Sequence, residues 1–205
     1  LYTLSRAIYS LVHPCTLLHT LAQVLEYPKY KVLRNANDLA TFVETELVYA
    51  GESEATLYMG MDSEGHKSKT AKYIQLAGHS TTIVVYLSNN AIKTLRSLFD
   101  SKAICMVVFD ASAEVLKLPA ELNVKANRLC DLQVVAQEAM KTGSNKPSLE
   151  NFVSFLLKRD QGSLVKMANL DPNIRVYDAF ENDSELPLHL KQYAAVDAMA
   201  TIWAY

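Results

Sequence analysis

The chain has 205 residues, half apolar and a fifth charged, which is material for one packed domain and too much for a disordered chain. Its 20 basic and 22 acidic side chains leave a net charge of −2, which excludes a polybasic mode of binding long nucleic acid but leaves room for a local phosphate site. No apolar run approaches the roughly 20 residues that span a bilayer, and Cys15, Cys105 and Cys130, widely spaced and without a CxxC pair, argue against a disulfide framework and for an intracellular setting, cytoplasm or nucleus. The chain starts at Leu1 rather than Met, as a piece of a longer protein would.

Residues 4–26 read as helix, interrupted near His13-Pro14, with Leu17, Leu18, Leu21, Val24 and Leu25 on one apolar face. This stretch sets residues 1–30 apart as an N-terminal helical extension, which either packs on the rest or offers a surface to a protein partner. Val32 and Leu33 suit a short strand. The polar run from Asn35 to Asp38 offers N-cap side chains for a helix through Val48, with Leu39, Phe42, Val43 and Leu47 inward. Residues 56–61, 72–77 and 81–87 then read as three strands of an antiparallel meander, with turns at 65–69 and 78–80. A helix over 91–99, a buried strand over 104–109 and a helix over 111–118 follow. Residues 127–131 are short and extended, 132–140 and 148–157 helical, 159–186 the least regular, and 190–205 a final amphipathic helix. Three strands followed by alternating helix and strand predict an α/β architecture, a mixed sheet flanked by helices.

Two segments carry chemistry. In the run from Tyr58 to Gly65, largely apolar positions lead into Asp62 and Glu64, which share one face of a strand because they are two residues apart. Two acids converging there repel each other unless a cation such as Mg²⁺ or Mn²⁺ sits between them; the alternative is a solvated strand end. Near the other end, Tyr193 and Asp197 lie four apart on one helical face. Ala194, Ala195, Ala198 and Ala200 let that helix approach a sheet closely. A phenol one turn from a carboxylate can orient a metal-bound water, although a tyrosine packed at a helix–sheet contact is the commoner arrangement.

Taken together, Asp-x-Glu on a first strand and Tyr-x-x-x-Asp on a late helix resemble the DEDDy branch of the 3′–5′ exonucleases, the RNase H-like group that includes RNase D and the Werner exonuclease. Residues 73–77 (YIQLA) resemble that family's second strand, the run from Cys130 to Val134 its stretch after motif II, and the run from Ser148 to Val153 its next helix. The resemblance covers 31–205, as one exonuclease-like domain. Gln192 stands where the histidine branch places its histidine, whereas Tyr193 occupies the tyrosine branch's place. Motif II departs from the pattern: Phe109 replaces the usual His, Asp110 the Asn, and Glu114 the catalytic Asp.

The resemblance implies an RNase H-like fold and phosphodiester hydrolysis from the 3′ end of RNA or single-stranded nucleic acid. Asp62, Glu64 and Asp197 would hold two divalent ions, Mg²⁺ or Mn²⁺, with Glu114 completing the set and Tyr193 positioning the water. The extra methylene of Glu114 moves its carboxylate by roughly 1 Å, a displacement that can cost on the order of 10²-fold in rate. Flexible coordination by Glu114, or Asp110 reaching in, would absorb part of that. The competing reading is a catalytically degenerate domain that binds RNA or protein.

Lys67, Lys69 and Lys72, and further on Lys158, Arg159 and Lys166, are candidates for phosphate contact or for plain solvated surface. Neither Ser63 nor Ser112 has a paired base in sequence, and no Walker or dinucleotide glycine pattern occurs. With no broad basic face, the substrate expected is a short strand end.

Overall fold

The structure, a computed structural model, describes residues 30–33, 35–53, 55–65, 70–157 and 188–205. Residues 1–29 of the N-terminal extension with its protein-partner expectation, the irregular stretch 159–186 and the basic residues Lys67, Lys69, Lys158, Arg159 and Lys166 lie outside the described residues. A short strand, β1 (Tyr30–Leu33), leads into helix α1 (Ala36–Glu52). The Asn35 side chain caps α1 by accepting the Asp38 amide at 2.7 Å. The helix outruns the expected end at Val48 because its last turn still has contacts: Ala50 is buried, and Tyr49 stacks on His79 with ring centroids 3.5 Å apart.

The meander forms as expected, from β2 (Leu57–Glu64), β3 (Tyr73–Ala77) and β4 (Thr82–Tyr86). β2 continues past Met61 because β3 pairs with it as far as Glu64, opposite Tyr73. Both acids therefore sit inside a hydrogen-bonded strand and not in the turn after it. Helix α2 (Asn89–Asp100), capped by Ser88, leads to β5 (Ile104–Val108), α3 (Ala111–Lys117) and β6 (Leu129–Asp131). Three helices complete the described chain: α4 (Leu132–Met140), α5 (Leu149–Leu157) and α6 (Leu188–Ala204).

The six strands lie in the order β1-β4-β3-β2-β5-β6. β2, β3 and β4 pair antiparallel, while β5, β6 and β1 join as parallel strands, giving the mixed sheet. Strand alternation divides the side chains between two layers. Met59 and Met61 of β2, Ile74 and Leu76 of β3, and Ile83 and Val85 of β4 pack with Leu39, Phe42 and Val43 of α1 and Leu95, Leu98 and Phe99 of α2. Each such buried side chain is worth about 2 kcal/mol of transfer free energy. On the other face, Tyr73 and Val84 pack against Leu190, Ala194 and Ala195 of α6.

Helix α6 departs from the amphipathic expectation. No residue from Leu190 to Ala204 is exposed, because the sheet covers one side and α5 another, where Val153 meets Val196 and Ala200. It approaches β2 closely at Gly60. A Cβ added to Gly60 would lie 2.2 Å from the Ala198 carbonyl oxygen, so only glycine fits there. Among the described residues, no helix is long and apolar enough to cross a membrane.

Candidate active site

The Gly60–Ala198 contact sets the site two residues further along β2. Asp62 and Glu64 leave the same face of that strand, towards α6, and Asp197 enters from α6 beside Ala198. One carboxylate oxygen from each of the three lies within 4.8 Å of the other two. Glu64 is buried, while Asp62 and Asp197 keep a partly exposed edge.

Holding three carboxylates so close, with water largely removed, disfavours their charged forms. Burial raises the Asp62 carboxyl well above its ordinary range, and the charges of Glu114, Glu64 and Asp197 add to the effect. Burial, with repulsion from Asp197, pushes Glu64 up to about 8. Asp197 is pushed up to about 7 by burial, although the hydrogen bond from Tyr193 works the other way; Glu150, at the start of α5, and Glu114 add repulsion. The Tyr193 phenol, beside Asp197 and half-buried, is raised far beyond its ordinary value, so it remains a hydroxyl donor. Three converging carboxylate oxygen donors, two of them on partly exposed residues, are the donor set that suits a hard divalent cation.

Glu114 is placed differently from these three. It is buried on α3, and both of its oxygens are engaged. The Ser63 hydroxyl donates to Oε2 at 2.5 Å, and the Lys117 ammonium, one helical turn on, lies 2.7 Å from Oε1. Ser63 alternates to the side of β2 opposite Asp62 and Glu64, so this hydrogen bond engages Glu114 from that side, although its charge still acts on Asp62, Glu64 and Asp197. The structure engages Asp110 elsewhere. Asp110 is the N-cap of α3, in the left-handed region at φ 64°; its carboxylate accepts the Ala113 amide at 3.3 Å and the Ser112 hydroxyl at 2.7 Å, and Lys146 lies 3.8 Å away. Those bonds, that of Ser112 first, hold its carboxyl below the usual range. Phe109 packs towards Phe152, with ring centroids 6.4 Å apart.

Sequence reasoning gave no role at the site to three residues here. Lys117 is one; its position three after Glu114 on a helix was the available signal. Burial works against its charge, but Glu114, Asp62 and Glu64 together more than offset that and raise its pKa. Asp131 is the second. Its Oδ1 accepts the Asp110 amide at 3.1 Å and its Oδ2 the Ala111 amide at 3.0 Å, which pins the start of α3 to the end of β6. The third is Gln75, paired across the strands with Asp62 and fully buried, with neither polar atom of its amide hydrogen-bonded among the described residues.

No family model matches the chain's sequence, and no curated protein matches it either. Solved structures do resemble it. The Nibbler EXO domain of Aedes aegypti superposes with a TM-score of 0.65 at 15% identity, covering 87% of this chain and 86% of that one. RNase D of Trypanosoma brucei, in complex with RNA, gives 0.68 at 18% identity, covering 91% of this chain and 64% of that one. RNase D of Escherichia coli, described as an exoribonuclease involved in structured RNA processing, gives 0.58 at 17%, covering 84% of this chain and 42% of that one. The chain thus spans most of the Nibbler domain but under two thirds of either RNase D. Its fold is that of a DEDDy-type 3′–5′ exonuclease domain, RNase H-like as the sequence resemblance implies.

Proposed function

We propose that this domain removes nucleotides from the 3′ end of RNA or single-stranded nucleic acid, with Asp62, Glu64 and Asp197 as ligands for Mg²⁺ or Mn²⁺. The observation that carries this reading is the meeting of three carboxylates within 4.8 Å, from a central strand and the last helix, beside a tyrosine hydroxyl. When bound, a divalent cation supplies Lewis-acid charge stabilisation and lowers the pKa of water.

The chain's own residues then have distinct tasks. Asp62, Glu64 and Asp197 fix the coordination geometry, and their raised proton affinity means that binding a cation displaces protons from them. Tyr193 keeps its proton and donates a hydrogen bond to Asp197, so it orients a water through its oxygen lone pairs and does not act as a base. Burial of Glu64 and of α6 keeps bulk water from competing on one side of the centre. The RNA held by the T. brucei RNase D supports RNA as the substrate class, and the lack of a net positive charge favours a strand end over long duplex.

Purified chain incubated with 5′-labelled and 3′-labelled oligoribonucleotides and Mn²⁺ tests this. The expected result is stepwise shortening from the 3′ end, reduced on the order of 10³-fold or more in an Asp62→Ala, Glu64→Ala double variant. Absence of shortening, or shortening unchanged in that variant, overturns the reading.

A further inference from the structure

We infer that the acid centre takes a single divalent cation, and that the Lys117 ammonium supplies the second positive charge at the site. The inference rests on the metal-dependent reading above and departs from it in the number of ions. Two ions acting on one phosphodiester stand about 3.5–4 Å apart and need carboxylates on both sides of the pair. Here the group that offers converging oxygens is Asp62, Glu64 and Asp197, and Glu114 is not one of it.

The Glu114 carboxylate is committed at both oxygens, to Ser63 at 2.5 Å and to Lys117 at 2.7 Å. Each partner is secured in turn. Ser63 is 2% exposed within β2, and the Lys117 carbonyl accepts the Ala71 amide at 2.7 Å, which ties the end of α3 to the segment just before β3. A buried carboxylate that already has a cation and a hydroxyl donor gains little by turning to a metal, and breaking the pair would strand the ammonium. Lys117 itself is only partly covered, its side chain 30% exposed, and its charge acts on Asp62 and Glu64 as well as on Glu114. A fixed ammonium beside a phosphate-binding centre neutralises phosphate charge without coordination chemistry.

Mn²⁺ titration of the whole chain, followed by calorimetry and by electron paramagnetic resonance, tests the inference independently of turnover. One equivalent with the spectrum of an isolated ion is expected. In Lys117→Met the released Glu114 carboxylate should open a second place, giving two equivalents with a spin-coupled spectrum. Lys117→Gln, which removes the charge that holds Glu114 but keeps a polar head group, should do the same if the methionine variant does not fold. Lys117→Arg should stay at one. Two equivalents in the unaltered protein overturn the inference but leave the metal-dependent reading standing. One equivalent in every variant, with affinity changed less than threefold, removes the role given to Lys117. No binding at all overturns the metal-dependent reading, and this inference with it.

Discussion

Two places in this domain bury carboxylates, and they do so in opposite ways. Glu46 on α1 is fully buried, and its oxygens accept the His79 amide at 2.8 Å, the Ser80 amide at 2.9 Å and the Ser80 hydroxyl at 2.5 Å. It closes the turn between β3 and β4, and a Cβ on Gly78 would lie 2.6 Å from its carboxyl carbon. Asp62, Glu64 and Asp197, at the other end of the meander, face one another instead. Donors fix the first acid as a structural cap, whereas mutual repulsion leaves the second group short of positive charge. Burial alone therefore does not mark a functional acid; what the carboxylate faces does.

Three experiments would break or sharpen this contrast. Glu46→Ala should have the largest effect on stability, a loss of about 2–4 kcal/mol, because it strands several donors at a turn. Chemical denaturation measures it, and Mn²⁺ binding at the acid centre should be unchanged. Equal losses in stability and in Mn²⁺ affinity would show that the two places are not separable.

The second experiment is a pH series on metal-free protein. In the unfolded chain carboxyls titrate near 4, while in the folded chain Glu64 and Asp197 titrate at about 8 and about 7. Between those limits the folded state holds more protons, so raising the pH costs stability, which is fullest below about pH 4 for these groups. The melting temperature in chelator should fall from pH 5 to pH 8, and saturating Mn²⁺ should remove the fall. A flat profile in chelator would mean that the three acids do not repel as their positions demand.

The smallest effect is expected at Gln75, which neighbours Asp62 but makes no hydrogen bond through its amide among the described residues. Gln75→Leu removes a desolvated polar group without leaving a partner unsatisfied, so stability should change by no more than about 1 kcal/mol, towards greater stability. A larger loss would reveal a bond formed by that amide in solution.

Much of this was legible in the residues. The apolar run leading into Asp62 and Glu64, the small residues around Asp197, and the turn signals between β2, β3 and β4 are local patterns, and the fold follows them. What escaped was set by distant contacts. The hydropathy of β2 marks it only as far as Met61, because the pairing that carries it on to Glu64 comes from Tyr73. α6 was expected to be two-sided, because nothing in its own sequence tells that α5 covers the face away from the sheet. The pairing of Glu114 with Ser63 joins residues far apart in sequence, and no spacing rule predicts it. Lys117 was within reach of such a rule, being one turn from Glu114, but a lone lysine carries little signal until its partner is known to be buried.

The contact of Gly60 with the Ala198 backbone has a bearing on when the centre comes into being. Asp62 and Glu64 are laid down early in synthesis and paired by the meander that follows, yet their third partner belongs to a helix made much later. Until α6 has been released and has settled on the bare glycine of β2, the two early acids are only a pair at a strand end. The proposed centre is therefore complete only once the last described helix has been made and packed against the sheet.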